Sequence, residues 1–265
     1  MPPADAVAEI AIAVRAALPR TLIALDFDGT LAPIVADPAE SRPEPGVIDA
    51  LTVLAQAGAQ IAVITGRDAG TAARLGGFDA VPGVVIEGLY GAENWHGGEL
   101  VTADAPPAIN ELRARLPALV TAATSDPGVW IEDKRLSLVV HTRRAGDPDA
   151  ALDAIREPLG ELSASLGLET HDGRNVLEIR MPGYDKGAVL RRLVDHFEPD
   201  VVLFAGDDVG DLPAFGVVRA LRARGQRAWG VAASSDEVLA LDGAADVHVD
   251  GPAGVLALLI ALAPV

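Results

Sequence analysis

Short, near-continuous apolar runs recur at Thr21 to Leu25, Gln60 to Ile64, Val84 to Ile86, Val201 to Ala205, Ala228 to Ala232 and Val247 to Val249. Runs of that length without alternation suit parallel strands buried on both faces. Between them the apolar spacing becomes helical, as in Gly46 to Ala57 and Lys186 to Phe197. Strands alternating with helices predict an α/β fold built on a doubly wound parallel sheet. The opening stretch, Met1 to Arg20, carries Asp5 and Glu9 where a secretory signal would be basic, and it reads as an amphipathic first helix.

The pattern changes in the middle of the chain. Helical spacing at Ala108 to Ala123 and Pro148 to Leu166 is interleaved with alternating segments, among them Val129 to Lys134, Leu136 to Arg143 and Asn175 to Arg180. Alternation predicts an antiparallel sheet with one apolar and one polar face. Trp130, Glu132 and Lys134 fall on one side of their segment, Ser137, His141 and Arg143 on one side of theirs, and Val176, Glu178 and Arg180 on one side of the last. Helices would cover the apolar face; the polar face is either solvated or turned towards a ligand. Ala105-Pro106-Pro107 and Pro182-Gly183 have the composition of linkers. The predicted organisation is a core in two parts, residues 1–103 and 181–265, with a smaller α/β cap inserted over 104–180, placed to close over the core.

Composition narrows the class. Lys+Arg is 21 against Asp+Glu 38, a net charge of −17, which disfavours a sequence-independent grip on nucleic acid or on an anionic membrane. No apolar stretch runs ~18 residues free of charge or proline, so no membrane span is expected and cytoplasm is the default location. There is no cysteine, hence no disulfide and no thiolate chemistry. Lysine occurs only at Lys134 and Lys186 among those 21 basic residues, which draws attention to both positions.

The candidate chemistry gathers at strand ends. Asp26-Phe27-Asp28-Gly29-Thr30 follows the first apolar run, and Gly206-Asp207-Asp208 follows the run from Val201. In an open α/β sheet the ligand lies beyond the carboxyl ends of the strands. Carboxylates crowded there call for a cation, and hard oxygen donors without Cys or His suit Mg²⁺, with Asp26, Asp28 and Asp207 as ligands and the backbone carbonyl of Asp28 a further donor. Asp26 is placed to attack phosphorus as a nucleophile, and Asp28 to serve as acid and then base. Thr65-Gly66-Arg67 closes the second strand, where a hydroxyl and a backbone N–H can hold a phosphoryl group, although Thr65 or Asp68 could equally cap a helix. Lys186 opens a helix, and its ammonium can stabilise both nucleophile and phosphoryl oxygens. Asp208 and Asp211 can orient Asp207 from behind, while Asp211 could also be an ordinary helix-start acid. The five histidines show no zinc spacing; His141 stands out because it shares the polar face with Arg143.

Taken in order, Asp26-Phe-Asp28-Gly-Thr, Thr65, Lys186 and Gly206-Asp207-Asp208 resemble the haloacid dehalogenase superfamily of phosphohydrolases. Within it, Asp26 to Ile34, Ile64 to Arg67, Glu132-Asp-Lys134 with Ser137, His141 and Arg143, then Val176 to Arg180 and Lys186-Gly187 resemble the trehalose-6-phosphate phosphatases. The resemblance implies a Rossmann-like core with a small α/β cap, Mg²⁺ dependence, and hydrolysis of trehalose 6-phosphate to trehalose and phosphate, the chain working either alone or in functional association with the trehalose-6-phosphate synthase that makes its substrate. It implies sugar-reading roles for Glu132, Lys134 and Glu178, with Arg143 on the phosphate side, and Arg67, Ser137 and His141 complete the set of substrate-binding candidates. Two departures accompany it. Gly210-Asp211-Leu212 stands where the family has Thr-Asp-Glu, and Tyr90-Gly91 where it often has His-Gly. The same chemistry on another phosphorylated sugar, such as sucrose 6-phosphate, is the close alternative, and a non-catalytic sugar-phosphate sensor the distant one.

Overall fold

The computed structural model describes residues 3–173, 175–233, 241 and 243–264. The chain divides into two compact units, Met1–Thr102 with Asp185–Val265, and Ala103–Tyr184. In chain order the strands are β1 Thr21–Leu25, β2 Gln60–Ile64, β3 Val85–Gly88, β4 Glu93–His96, β5 Glu99–Thr102, β6 Trp130–Asp133, β7 Ser137–His141, β8 Glu169–Gly173, β9 Val176–Arg180, β10 Val201–Gly206, β11 Arg227–Ala233 and β12 Val247–Val249. The helices are α1 Pro3–Arg15, α2 Val47–Gln56, α3 Ala69–Gly76, α4 Pro107–Ala123, α5 Pro148–Ser165, α6 Lys186–Phe197, α7 Leu212–Ala223 and α8 Gly251–Leu262.

In the first unit eight strands form one sheet in the order β12-β11-β10-β1-β2-β3-β4-β5. From β12 to β3 all pairings are parallel. Successive strand residues face opposite sides, and both sides are apolar. Ile23, Leu25, Ile61 and Val63 pack with residues of α1, α2, α3 and α8, while Leu22, Ala24, Ala62 and Ile64 pack with α6 and α7. This double burial is why the runs in the sequence do not alternate. From β1 the chain moves outward through β2 and β3, and later returns to the other side of β1 as β10, so the order reverses between β1 and β10. That reversal opens the crevice in which such sheets bind ligands.

Three sequence expectations shift. The first helix ends at Arg15 and a 3₁₀ turn, Leu18–Arg20, leads into β1. The third strand runs on to Gly88, past Ile86. The hairpin β4–β5, antiparallel to β3, was not predicted at all. Its polar Glu93, Asn94, His96 and Glu99 hide the strand pattern, yet Gly97 and Gly98, with φ of 60° and 87°, are the two-residue turn that a tight hairpin needs.

In the second unit β6-β7-β9-β8 form an antiparallel sheet. Leu138, Val140, Leu177 and Ile179 point to one face and pack with Ile109, Leu112 and Leu116 of α4 and Leu152, Ile155 and Leu159 of α5. The opposite face carries the polar side chains that the alternation predicts.

The most exacting packing beneath the first unit's crevice is Phe204 of β10 against Phe215 of α7, both fully buried, with ring centroids 5.3 Å apart at 80°. Phe204→Ala is expected to cost about 3–5 kcal/mol in urea unfolding. A loss below about 1 kcal/mol would contradict this account of the core.

Candidate functional site

In the first unit the carboxyl ends of β1 and β10 bring the acidic motifs together. The β1 pairing continues one residue past the strand, with Asp26 N–H donating to Ala205 O at 2.9 Å. The chain then folds back, with Leu31 and Ala32 N–H both donating to Phe27 O. Gly29 sits in this turn at φ 80°, and a Cβ there would collide with the Asp207 carboxylate. The glycine thus lets the motif following β1 lie directly against the one following β10.

Lys186 opens α6 behind the cap Asp185, whose carboxylate accepts from Ala188 N–H at 2.7 Å. Its side chain is buried, with Nζ 2.6 Å from Asp26 Oδ1 and 2.7 Å from Asp211 Oδ1. The other oxygen of Asp211 accepts the backbone N–H of Asp207 at 2.9 Å and of Asp208 at 3.1 Å. Asp211 is therefore a fully buried brace, not a solvated helix-start acid. One oxygen each of Asp26, Asp207 and Asp211 lie within 4.8 Å of one another.

Electrostatics follow from that crowding. Burial, with Asp211 and Asp207 adding to it and Lys186 opposing, holds the Asp26 carboxyl well above its ordinary range. Burial and then the neighbouring Asp208 and Asp211 push Asp207 up to about 7. Asp208 is raised too, chiefly by burial. Burial works against the Lys186 ammonium, but Asp211 and Asp26 outweigh it and keep the lysine charged. Three carboxylates against one ammonium leave two negative charges in a nearly dry, all-oxygen setting. That donor set fits a divalent hard cation. Because Asp211 is saturated by Lys186 and two amides, Asp26 and Asp207 are the side chains left for the ion.

Asp28 and Arg67, both expected to meet the ligand, meet each other. Arg67 Nε and Nη donate to the two oxygens of Asp28 at 2.6 and 2.7 Å, and Ser41 Oγ donates to Asp28 at 3.0 Å. The hydrogen bond to Asp28 raises the Arg67 guanidinium pKa, burial opposing. The Asp28 side chain is consequently outside the three-carboxylate cluster, so it cannot be a carboxylate ligand as the structure stands; a role for Asp28 towards a cation falls to its backbone carbonyl. Ser41 was missed because nothing local marks a serine 13 residues downstream as a partner of Asp28.

Thr65 is buried, its N–H bound to Glu87 O at 3.0 Å and its hydroxyl accepting Arg67 N–H at 3.1 Å. Asp68, not Thr65, caps α3, accepting from Thr71 N–H at 2.7 Å. Tyr90 lies beside this turn. Leu89 and Tyr90 both have positive φ, 47° and 56°, and their N–H groups donate to Arg67 O and Thr65 O. The Tyr90 ring rests on Gly66, where a Cβ would be 2.9 Å from the phenol oxygen.

In the second unit the polar sheet face gathers four of that unit's six substrate-binding candidates. Glu132 and Glu178 flank Val139 in register across β6, β7 and β9. His141 Nε2 is 2.8 Å from Glu132 Oε2, and Ser137 Oγ donates to Glu178 at 2.8 Å. Trp130 stacks on the His141 ring at 4.4 Å, and Arg144 lies over the Trp130 ring at 4.8 Å. The remaining two lie off the strands. β6 stops at Asp133, leaving Lys134 in the hairpin, and β7 stops at His141, leaving Arg143 exposed in a turn. The strand predicted to reach Arg143 ends early because the opposing Asn175 has a φ of 59° and Ala145 N–H closes a turn on Thr142 O.

Among the described residues no helix is long and apolar enough to cross a membrane. The model of the trehalose-phosphatase family matches residues 24–252. The chain is 35% identical over 223 residues to a trehalose-phosphate phosphatase of Mycobacterium marinum, covering 76% of this chain and 52% of that one. It is 36% identical over 216 residues to one of Mycobacterium avium, covering 73% and 50%. The chain spans about half the length of these curated relatives. The structure of Aspergillus fumigatus trehalose-6-phosphate phosphatase is similar at a TM-score of 0.75 and 26% identity, over 97% of this chain and 96% of that one. A haloacid dehalogenase-like hydrolase from Bacteroides thetaiotaomicron shares the fold at a TM-score of 0.64 and 17% identity, over 91% and 98%. With a family match that takes in the strand-end acids, Lys186 and the whole of the second unit, the chain belongs to the trehalose-phosphatase family.

Proposed function

We propose that the protein is a Mg²⁺-dependent phosphatase that converts trehalose 6-phosphate and water to trehalose and phosphate through an aspartyl phosphate on Asp26. What supports this reading most is the buried set of Asp26, Lys186, Asp211 and Asp207 at the sheet's point of reversal in a chain of this family.

An oxygen of Asp26 attacks phosphorus while the bond to the sugar oxygen breaks, and that oxygen takes the proton carried by Asp28. Asp28 then removes a proton from the water whose oxygen attacks phosphorus, the Asp26–phosphorus bond breaks, and phosphate leaves. Lys186 holds one oxygen of Asp26 and so orients the other towards the substrate. Asp26, Asp207 and the backbone carbonyl of Asp28 would hold Mg²⁺, which would supply positive charge beside the transferring group. Thr65 and the Gly66 N–H hold phosphoryl oxygens. An arriving phosphate competes with Asp28 for Arg67, and release from that pair is what allows Asp28 to carry a proton. Glu132, Lys134 and Glu178 read the sugar, with Ser137 and His141 orienting the two carboxylates and Arg143 attracting the anion.

Phosphate release from trehalose 6-phosphate should stop on chelation, return with Mg²⁺, and exceed release from sucrose 6-phosphate. Equal rates on the two sugars would leave the chemistry and overturn the substrate. Asp26→Asn should lower turnover by at least about a thousandfold with circular dichroism unchanged. Turnover within about tenfold of the parent would remove Asp26 as nucleophile.

Glu178→Ala tests the sugar assignment separately. It should raise KM for trehalose 6-phosphate by about tenfold or more and leave that for p-nitrophenyl phosphate within about twofold. Parallel changes on both substrates would show that Glu178 does not read the sugar.

A further inference from the structure

α6 packs over β1 and β2, and beside it the sheet continues into β3 and β4. In that pairing Val85 stands opposite His96 and Glu87 opposite Asn94, so all four lie on one face. Leu193, His196 and Phe197 of α6 form the facing wall together with Arg192, and the two walls enclose a cavity of about 530 Å³ within the first unit. Its floor is Glu87, a carboxylate the proposed reaction does not use. The Glu87 side chain is 8% exposed and accepts from Asn94 Nδ2 at 3.0 Å and Arg192 Nη at 3.1 Å.

The chemistry of this lining selects a ligand class. Glu87 and Arg192 are its only Asp, Glu, Lys or Arg residues, and they cancel. An ion of either sign would therefore find no net countercharge, in a chain whose net charge is already −17. Hydrogen-bonding groups remain abundant. One Arg192 nitrogen serves Glu87, leaving the rest of a guanidinium with five N–H donors, and the Asn94 oxygen and the imidazoles of His96 and His196 add acceptors and donors. Val85, Leu193 and Phe197 supply an apolar side. A volume of this size accommodates a small organic ligand. We propose that this cavity is a second binding site, for a neutral, hydroxyl-rich ligand of the sugar class, with C–H groups against Phe197 and Leu193 and hydroxyls on Arg192 and Asn94. The assignment is independent of the phosphatase reading. The site is also joined to the catalytic edge by one strand end, since Glu87 O accepts the N–H of Thr65 at 3.0 Å.

Histidine-labelled full-length protein reports on the cavity directly through the ring signals of His96 and His196, assigned by His→Gln replacement. Glucose, trehalose and inorganic phosphate serve as separate probes. Glucose or trehalose should shift both signals saturably in the millimolar range, and phosphate should not. Arg192→Met should weaken that binding by about tenfold or more, and His196→Ala, at an exposed position, by about threefold, read from His96. Shifts with phosphate and not with sugar would make this an anion site and overturn the proposal. So would the absence of shifts with every probe, or sugar-induced shifts of equal affinity in both variants.

Discussion

The ammonium of Lys186 lies between the carboxylates of Asp26 and Asp211 with almost no access to water, and the rest of the site is arranged around that contact. Charges so deeply buried are tolerated only when paired and hydrogen-bonded; removing one partner of such a pair typically costs about 3–5 kcal/mol. Here every oxygen of Asp211 is used, one by Lys186 and the other by two backbone amides. The pairing ties together the end of β1, the start of α6 and the loop after β10, three places far apart in sequence. It also explains why a chain with 21 basic residues and only two lysines places one of them here. A compact ammonium fits between two carboxylate oxygens 2.6 and 2.7 Å away, whereas a planar guanidinium presents a wide fork of donors.

Lys186 neutralises only part of the charge it sits in. With Asp207 added, three carboxylates face one ammonium, and burial, with the neighbouring acids adding to it, holds the Asp207 and Asp26 carboxyls up. A divalent cation held there would offset the charge that Lys186 leaves unpaired. The site is thus strained electrostatically in a way that favours its ligand, while the sheet and helices beneath it, closely packed on both faces, hold the acids in place.

Much of this was legible because the features were local. The limits of β1, β2, β12 and α6 in the structure are those the apolar spacing marks out, and the acidic motifs follow strands that the same spacing predicts. What escaped was tertiary. The β4–β5 hairpin has polar residues on both sides of its Gly97-Gly98 turn and borrows its stability from β3. Asp28 looked like a free carboxylate, and Arg67 like a free cation, because their pairing spans 39 residues and depends on how two strand ends approach. Asp211 does cap, accepting the Asp208 N–H, but its burial and its pairing with Lys186 of α6 could not be told by sequence. Arg143 falls beyond the strand because Ser137, His141 and Arg143 keep the alternation past the point where the pairing ends, at Asn175 with its positive φ and at the turn that Ala145 N–H closes on Thr142 O.

Under the proposed function the two kinds of work fall in different units. Bond making and breaking rest on Asp26, Asp28, Asp207 and Lys186 of the first, and hydroxyl recognition on Glu132 and Glu178 of the second. The second unit's face is built so that recognition can vary cheaply. Glu132 and Glu178 project from an antiparallel sheet whose stability comes from the opposite, helix-covered face, and each is oriented by a single neighbour, His141 or Ser137. Replacing such a side chain changes which hydroxyls are matched without opening a cavity in the core. The first unit has no such freedom. A change at Asp211 or Lys186 alters the charge balance on which Asp26 and Asp207 depend, so substrate preference can drift within a family of this architecture while the phosphoryl chemistry stays fixed.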